Sequence, residues 1–263
     1  MVIEGVAEHS NLSRLSVFGI DIDNITMQQA INWIINRSKR EGKSVVSFVN
    51  AHNLNQVVTK SEYRRSILRS DLILPDGTGV KIASVMNGVD LKENVNGTDM
   101  LPLLCDAISS EAIPVYLLGA KQGVAEAMAR KLKIQYKNLN VVGCEHGYFP
   151  KQETGDVIAR INRSGAKILL VAMGTPHQEI WIDRFKLILQ PTVIIGVGGL
   201  FDFYSGRIPR APIWFRDWGC EWVWRLLQEP ERMWRRYLLG NPLFLFRIFL
   251  MTLKRGSRDV KYN

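Results

Sequence analysis

Residues 167–181 read KILLVAMGTPHQEIW, and this stretch decides the fold. Its first seven residues, Lys167–Met173, form an apolar run of the length of a buried strand, and the run ends at Gly174. A helical pattern follows the turn. A buried strand, a tight turn and a helix in succession are the unit from which parallel sheets covered by helices are built.

The same unit recurs along the chain, where apolar runs alternate with amphipathic stretches of helical spacing. This alternation predicts an α/β fold, in which a mostly parallel sheet carries helices on both faces. The predicted strands are Ser44–Val49, Leu72–Leu74, Val115–Leu118, Leu139–Val142, Lys167–Met173 and Thr192–Val197, and the predicted helices include Met27–Arg40, Glu62–Ser70, Gly123–Gln135 and Thr154–Arg163.

Glycine or small polar residues follow five of these strands. Ligands of open parallel sheets bind beyond the carboxyl ends of the strands, and glycine lets the backbone approach the ligand closely. We therefore predict one cleft that is shared by the loops after Leu74, Leu118, Val142, Met173 and Val197.

Positive charge and tryptophan concentrate towards the C-terminal end. From Arg207 onward there are 12 Lys and Arg against 5 Asp and Glu, which supplies +7 of the net charge of +9, and five of the seven tryptophans lie there. Indole rings settle at the level of lipid headgroups while arginine pairs with phosphate, so this composition favours an anionic membrane surface. A helix pair with a solvated basic face is the alternative. Nucleic acid would match the charge but needs fewer large apolar side chains, so we expect no nucleic-acid partner.

A domain boundary is predicted near Gly206–Pro212, where two prolines coincide with the shift in charge. We assign residues 1–206 to the α/β domain and residues 207–263 to a basic, helical, membrane-associating appendage. Within the appendage, Gly219–Tyr237 predicts a helix that breaks near Pro230. The apolar segment Leu243–Leu253 is too short to span a bilayer, so it lies on the membrane or packs on the domain.

The cysteines and the first residues of the chain bear on the compartment. Cys105, Cys144 and Cys220 are far apart and lack metal-ligand spacing, which argues against a disulfide framework and for a reducing environment. Met1–Asn11 has no apolar core of a secretory signal. We therefore expect a cytoplasmic protein.

Asp76 is the strongest candidate for acid–base chemistry. It follows a predicted buried strand and lies between Pro75 and Gly77, in a turn that would point its carboxylate into the cleft. A carboxylate in that position can accept the proton of an attacking hydroxyl. The alternative is an aspartate that caps the following helix, which is a common use of Asp at such turns.

Gln178 and Glu179 stand at the start of a predicted helix, directly after a strand. Helix N-termini present free N–H groups to anionic or carbonyl ligands, and a glutamine amide can pair with the edge of uracil. A capping arrangement of Thr175 with Gln178 is compatible with the same residues.

Three arginines of the appendage, Arg225, Arg232 and Arg235, are spaced so that they can converge even across a kink at Pro230. Arginine forks suit phosphate oxygens, such as those of a diphosphate that gains negative charge as it leaves. A surface stripe of solvated arginines is the alternative.

Two further patterns carry little weight. Asp21-Ile22-Asp23 has the D-x-D form that holds a divalent cation in many sugar transferases, but Asp23 or Asn24 can equally cap the first long helix. Residues 196–199, GVGG, lack the spacing of a dinucleotide-binding loop, and the four histidines form no metal-ligand pattern. We predict neither a metal nor a nicotinamide cofactor.

Four ordered motifs resemble the WecG/TagA/CpsF glycosyltransferases, and the similarity covers nearly the whole chain from Val17 onward. The most specific motif is residues 196–245, which read GVGGLFDFYSGRIPRAPIWFRDWGCEWVWRLLQEPERMWRRYLLGNPLFL. The other three are Pro75–Val80, Gly97–Asp99 and Gly174–Trp181.

The resemblance implies an inverting transferase that forms β-linkages from a UDP-sugar to an acceptor sugar on polyprenyl diphosphate, without a metal. It implies a Rossmann-like domain whose C-terminal appendage helps to close the site and docks to the membrane. The enzyme would then be peripheral on the inner face of the cytoplasmic membrane and act in bacterial surface or exopolysaccharide synthesis. The donor would be of the N-acetylmannosaminyl or glucosyl type.

The motifs also assign roles to residues. The base of the family's Pro-Asp-Gly motif corresponds to Asp76, and the diphosphate-binding arginines of its appendage correspond to Arg225, Arg232 and Arg235. We expect the acceptor site to be lined by Asn50, His52 and Thr78, and the nucleotide-sugar site by Gly119, Gly174, Gln178, Glu179, Gly198, Gly199 and Asp202. The residues that would present the site to a lipid-borne acceptor are Arg207, Arg210, Arg216 and Phe244–Leu253.

The chain departs from the family pattern at two places. Asn50-Ala51-His52 stands where a Thr-x-Asn pair is frequent, and His177 stands where a lysine often precedes Gln-Glu. Both changes bear on the particular sugar. A non-catalytic basic adaptor, which binds membrane or nucleic acid through the appendage, is the alternative function, and a homo-oligomer is left open.

Overall fold

In the computed structural model of the chain, residues 13–259 are described, apart from the side chains of residues 216–217 and 254–259. The interpretation of Met1–Asn11 as free of a signal lies outside this range. In chain order, the strands of the described part are β1 (Arg14–Val17), β2 (Ile20–Asp23), β3 (Ser44–Val49), β4 (Leu72–Pro75), β5 (Val115–Gly119), β6 (Val141–Glu145), β7 (Ile168–Ala172) and β8 (Val193–Gly196).

Helices connect these strands and form the C-terminal end of the described chain. They are α1 (Met27–Ser38), α2 (Ala51–Thr59), α3 (Ser61–Leu68), α4 (Thr78–Met86), α5 (Gly97–Ser110), α6 (Val124–Gln135), α7 (Thr154–Arg163), α8 (His177–Phe185), α9 (Leu200–Tyr204), α10 (Ile213–Asp217), α11 (Glu221–Gln228), α12 (Pro230–Trp234) and α13 (Gly240–Asp259). A 3-10 turn covers Lys151–Glu153, and a π-helical segment, Arg235–Leu239, joins α12 to α13.

Six strands form a parallel sheet in the order β4-β3-β8-β7-β5-β6. Each of the six predicted strands is present, with ends within three residues of the predicted ones. The predicted α/β fold is therefore confirmed. The antiparallel hairpin of β1 and β2 was not predicted, and neither were helices α2 and α5; α4 was considered only as the helix that Asp76 would cap.

Both faces of the sheet are covered, as successive residues of one strand demonstrate. In β7, Leu170 and Ala172 face a cluster that includes residues of α1, α5 and α6, whereas Leu169 and Val171 face a cluster that includes residues of α7 and α8. Side chains of a strand alternate between faces, so a strand that is apolar throughout is buried on both sides. This explains why the apolar runs predicted the sheet.

The break predicted near Pro230 is also present. Glu229 leaves the helical region, with φ −133° and ψ 63°, and Pro230 begins α12 as its first residue. A proline at the first helical position is favourable because its missing N–H would have no partner there. The chain therefore turns between α11 and α12 and carries the arginines of both helices towards the sheet.

Helix α13 packs on the α/β domain through one face and leaves the other open. Phe244 and Ile248 are buried in a cluster with Leu54 of α2 and Val80 of α4, whereas apolar side chains of the opposite face are exposed: Phe246, Phe249 and Leu253. Among the helices of residues 13–259, none combines the length and the apolar character that a bilayer crossing requires. The boundary between residues 206 and 207 stays a prediction.

Candidate active site

Two adjoining cavities lie beyond the carboxyl ends of four neighbouring strands, β4, β3, β8 and β7. The smaller has a volume of about 240 Å³ and is lined by the loops after β7 and β8 and by arginines of the appendage. The larger, of about 550 Å³, extends along α4 towards the start of α13 and includes Trp222, Tyr237 and Leu245. The described residues that border both cavities are Asn50, His52, Asp76, Thr98, Phe203, Arg225 and Arg236.

Asp76 stands where the two cavities meet. Its backbone N–H donates to the carbonyl of Val49 at 2.9 Å, which fixes the turn against the neighbouring strand β3. Gly77, and not Asp76, is the N-cap of α4. The carboxylate instead accepts a hydrogen bond from Asn50 Nδ2, with 3.1 Å between Nδ2 and Oδ2. These contacts argue against the helix-cap interpretation and leave the carboxylate directed at the cavities.

Burial raises the pKa of Asp76 above its usual range. The hydrogen bond from Asn50 and the positive charges of Arg236 and Arg225 lower the pKa in part, and the charge of Asp99 raises it. The net result is a carboxylate with a higher affinity for a proton than an aspartate in water. This property suits a group that accepts a proton during a reaction.

Helix α2 presents two more polar groups to the same place. Asn50 is its N-cap, and its Oδ1 accepts hydrogen bonds from the backbone N–H groups of His52 and Asn53. The cap orients the amide of Asn50 towards Asp76. Burial, together with the charges of Arg236 and Lys60, lowers the pKa of His52 to about 4, so His52 is neutral at neutral pH.

Three arginines border the smaller cavity, but they are not the three that the spacing predicted. Arg225 and Arg232 line it as expected, and the third is Arg236. Arg235 is exposed and holds its guanidinium 5.2 Å from the centre of the Trp234 ring, outside both cavities. Residues three and four apart share a face of an α-helix, and the π-helical segment that begins at Arg235 widens this turn, so Arg236 and not Arg235 joins Arg232 at the cavity.

The arginines give the smaller cavity an excess of positive charge. Burial lowers the pKa of Arg236, and the charges of Arg225 and Arg232 lower it as well. The Nε atoms of Arg225 and Arg236 are buried and have no hydrogen-bond partner within the described part of the chain. A Cβ at Gly199 would collide with the Arg225 guanidinium in its present position, so the glycine permits this close approach. The arrangement is suited to an anionic ligand.

Gln178 connects the two loops that form the floor of the smaller cavity. Its Oε1 accepts hydrogen bonds from the backbone N–H groups of Gly174, at 3.2 Å, and Gly198, at 2.9 Å. Its Nε2 donates to Glu179 Oε1 at 3.0 Å. Both acceptor positions of the amide are therefore occupied by the backbone, and only its remaining N–H can reach a ligand.

Glu179 is buried beside Gln178. Its Oε1 also accepts a hydrogen bond from the Thr175 hydroxyl at 2.9 Å, and Pro176 is the N-cap of α8. The expected cap by Thr175 is therefore replaced by a side-chain contact. Burial raises the pKa of Glu179, while the hydrogen bonds from Thr175 and Gln178 oppose this rise.

The cleft predicted from five strand ends was partly wrong. The loops after β5 and β6 lie outside both cavities because these strands occupy the far side of the sheet, and the loop after β3 takes part instead. Gly119, at the end of β5, packs against the backbone of Ala172. Asp202 is buried, accepts a hydrogen bond from Arg207 Nη1 at 3.1 Å and lines neither cavity.

The other predicted residues are brought together. Thr78 borders the larger cavity and donates to the carbonyl of Gly219 at 3.1 Å, which ties α4 to the appendage. Of the residues predicted for the nucleotide-sugar site, those that line the smaller cavity are Gly174, Gln178, Glu179, Gly198 and Gly199.

Sequence reasoning missed Arg236 and Phe203. The Arg225 guanidinium lies 5.1 Å from the centre of the Phe203 ring, which helps to hold that guanidinium in the site. The adjacent pair Arg235-Arg236 was the signal that could have suggested two candidates at this position. Nothing in the sequence distinguished Phe203 from the other apolar residues of its motif as a site residue.

Asp21-Ile22-Asp23 has a structural role. Asp23 is buried, and its carboxylate accepts hydrogen bonds from the N–H of Ile73 at 2.8 Å and from Arg14 Nε at 3.1 Å. It thereby attaches the hairpin to β4. Thr26, and neither Asp23 nor Asn24, caps α1. No three His, Cys, Asp or Glu side chains of residues 13–259 lie close enough together to hold a metal ion.

Two of the arginines assigned to lipid presentation form ion pairs instead. Arg207 lies 3.8 Å from Glu229, and Arg210 pairs with Asp99 and lies 3.7 Å from Glu221. The pairs connect the segment between α9 and α10 to α5, to α11 and to the turn after α11. The side chain of Arg216 lies outside the described residues.

The fold and the site define an α/β enzyme with a two-part ligand cleft at the carboxyl edge of its sheet, with a carboxylate at the junction and arginines on one side. The sequence model of the glycosyl transferase WecG/TagA/CpsF family matches residues 15–258 of the chain. The chain therefore belongs to this family. It is therefore a glycosyltransferase of cell-surface polysaccharide synthesis, and the family implies in general a sugar-nucleotide donor and a lipid-linked acceptor.

Proposed function

We propose that this enzyme transfers a sugar from a UDP-sugar to a sugar hydroxyl of a polyprenyl-diphosphate-linked acceptor, inverts the anomeric configuration and so forms a β-linkage. The donor is of the N-acetylmannosaminyl or glucosyl type. The observation that carries the proposal is the place of Asp76, whose carboxylate borders both cavities and can therefore face two substrates at once.

Each cavity has the chemistry of one substrate. The smaller has an excess of arginine, which suits the diphosphate of a nucleotide-sugar. The larger mixes polar groups near Asp76 with apolar ones such as Trp222 and Leu245, which suits an acceptor sugar followed by an isoprenoid chain. The exposed apolar face of α13 continues this surface and supports contact with an anionic membrane.

The reaction is a single displacement. The acceptor hydroxyl oxygen forms a bond to the anomeric carbon while the bond from that carbon to the β-phosphate oxygen of UDP breaks. Asp76 takes the hydroxyl proton, and the departing UDP retains the bonding electrons. The guanidinium groups of Arg225, Arg232 and Arg236 stabilise the negative charge that develops on the diphosphate. No residue of the described chain needs to form a covalent sugar intermediate in this scheme.

The test compares Asp76→Asn with Asp106→Asn, which neutralises an exposed aspartate of α5. UDP release is measured with a panel of UDP-sugars and a short-chain polyprenyl-diphosphate sugar, with and without EDTA. We expect acceptor-dependent release that survives EDTA. We expect kcat to fall about 10²- to 10⁴-fold in Asp76→Asn, the usual contribution of a general base, and to stay unchanged in Asp106→Asn.

Three outcomes would contradict parts of the proposal. Full activity of Asp76→Asn removes the role of base from this residue. Loss of activity with EDTA that added divalent cation restores shows that transfer needs a metal. Absence of UDP release with every donor contradicts the reaction class proposed for this chain, and binding of the inactive chain to anionic vesicles would then favour the membrane adaptor.

A further inference from the structure

Helix α2 contacts the active site at its first turn and the appendage one turn further on. The first turn carries His52, which borders both cavities. Asn55 points to the appendage: its Nδ2 donates to the carbonyl of Gly240 at 2.7 Å, and its Oδ1 accepts from Arg247 Nη1 at 2.8 Å. Both hydrogen-bonding groups of this one amide are thus used to hold α13.

Gly240 lies where the segment that carries Arg236 joins α13. It is the first residue of α13 and follows the π-helical segment that contains Arg236. Only four positions separate Gly240 from Arg236, and the intervening chain is helical. The bond from Asn55 to Gly240 therefore fixes the distance between α2 and the end of the segment that carries the arginine.

The apolar contacts of α13 alone do not fix its position along its own axis. Phe244 and Ile248 anchor the helix in the buried cluster, but hydrophobic burial is non-directional. A partly buried amide with two directional hydrogen bonds selects a single register. Arg236 needs such a register because it must face His52 and Asp76 in a space that both cavities share.

We propose that Asn55 is a positioning residue that holds Arg236 in the active site by fixing Gly240 and Arg247 of the appendage to α2. The proposal rests on the proposed function only in the use that it gives to Arg236, the binding of the diphosphate. The placement of Arg236 beside His52 can be tested without any turnover.

The experiment compares Asn55→Ala with Thr59→Ala, which removes an exposed hydroxyl one turn further along α2 that bonds carbonyls of its own helix. Two quantities are measured well below the melting temperature: the affinity for UDP by calorimetry, and the pKa of His52 by NMR, assigned with His52→Gln. In Asn55→Ala we expect UDP affinity to fall about tenfold, as for loss of a charge-assisted bond. We expect the pKa of His52 to rise from about 4, because the charge of Arg236 helps to lower it. Thr59→Ala should change neither.

A double-mutant cycle tests whether Asn55 acts through Arg236. In the background of Arg236→Met, Asn55→Ala should have no further effect on UDP affinity, since the group that it positions is absent. Arg247→Met removes the bond to Asn55 Oδ1 and a 3.4 Å contact to the Asn55 carbonyl but keeps the bond to Gly240, and it should shift both quantities in the same direction. It also serves as the second variant if Asn55→Ala does not fold.

Two results would overturn the proposal: a lower melting temperature with unchanged UDP affinity and unchanged His52 pKa, or effects of Asn55→Ala and Arg236→Met that simply add. Failure of the proposed function gives a different pattern. UDP release would then be absent with every donor, while Asn55→Ala would still raise the pKa of His52.

Discussion

Arg235 and Arg236 are neighbours in sequence but lie in different surroundings. Arg236 borders both cavities and is close enough to Asp76 to lower the pKa of its carboxyl, whereas Arg235 is exposed and lies over the Trp234 ring. The same substitution can therefore be made at two neighbouring positions, and only the substitution of Arg236 removes a charge from the active site.

Arg236→Met is expected to weaken UDP binding by about tenfold or more, because a charge-assisted bond to phosphate is lost. It should also move the acid limb of kcat/KM to higher pH. A base acts when deprotonated, and removal of Arg236 removes a charge that lowers the pKa of Asp76, so deprotonation then requires a higher pH. Calorimetry with UDP and a pH–rate profile are the measurements.

Arg235→Met is the control and should leave both quantities unchanged. A larger loss in Arg235→Met than in Arg236→Met would mean that the helical register of this segment in solution differs from the one described.

Among individual residues, the sequence correctly predicted those whose position depends only on the residues next to them in the chain. Asp76 lies in a Pro-Asp-Gly turn directly after a strand, and the turn itself directs the carboxylate. Arg236 could not be separated from Arg235, because the choice depends on a kink at Pro230 and on a π-helical turn. Asp202 was assigned to the nucleotide but pairs with Arg207, which is a contact that no local pattern contains.

The loops after β7 and β8 form one unit because a single side chain joins them. Gln178 accepts backbone hydrogen bonds from Gly174 in one loop and from Gly198 in the other. A Cβ at Gly196 would lie 2.9 Å from Gln178 Nε2, so β8 also leaves space for this amide. The element that lines the smaller cavity is thus a pair of loops, and its rigidity depends on one glutamine.

Gln178→Leu is expected to destabilise the protein, since two backbone N–H groups lose their acceptor at a cost of about 1–3 kcal/mol each when buried. UDP affinity should fall together with the melting temperature, because the two loops that line the cavity separate. The control is Gln135→Leu, an exposed glutamine at the end of α6. Equal melting temperatures for both variants would show that the loops hold their positions without Gln178.

Elements with one strong pattern were predicted, and elements with a mixed pattern were not. Five strands of the sheet are mostly apolar runs because they are buried throughout, and the edge strand β6, which is fully buried only at Val141, had the least accurately predicted end. Helix α2 was not predicted because the polar Asn53 interrupts the apolar pattern of its buried side. Asn53 is buried there because its Nδ2 donates to the Tyr63 hydroxyl at 2.8 Å. Helix α5 contains Pro102, and the strands of the hairpin are only four residues long, so neither has a clear period.

For the whole molecule, the rule that ligands bind at the carboxyl edge of a parallel sheet placed the site on the correct side. The order of the strands decides which loops meet there, and the order is not contained in the local pattern. The predicted loop after β5 therefore lies apart, while the loop after β3, with Asn50, lies at the centre.

The two faces of α13 give a prediction about the molecule and the membrane together. Phe244 is buried with 1% of its surface exposed, whereas Phe249 is 51% exposed on the opposite face. Phe244→Ala should lower the free energy of unfolding by about 3–5 kcal/mol, as for a large aromatic side chain in a core. Phe249→Ala should change stability by less than about 0.5 kcal/mol.

Binding to anionic vesicles, measured by co-sedimentation, should show the reverse order. Phe249→Ala is expected to weaken binding about tenfold, since a phenylalanine that enters the headgroup region contributes about 1.5–3 kcal/mol. Folded Phe244→Ala should bind as the unaltered protein does. Unchanged vesicle binding by Phe249→Ala would exclude this face of α13 from the lipid contact.

The hairpin at the beginning of the described chain and α13 at its end share one buried cluster, in which the Phe18 and Phe244 rings meet edge to face at 6.1 Å. On the ribosome, the hairpin and the cluster residues up to Ala83 emerge long before α13, so the part of the cluster that Phe244 and Ile248 fill stays open until the end of the described chain is made. The segment that carries Arg236 is made directly before α13. A nascent chain thus acquires Arg236 only when the helix that completes this buried cluster is about to emerge, so the site and the core are completed together.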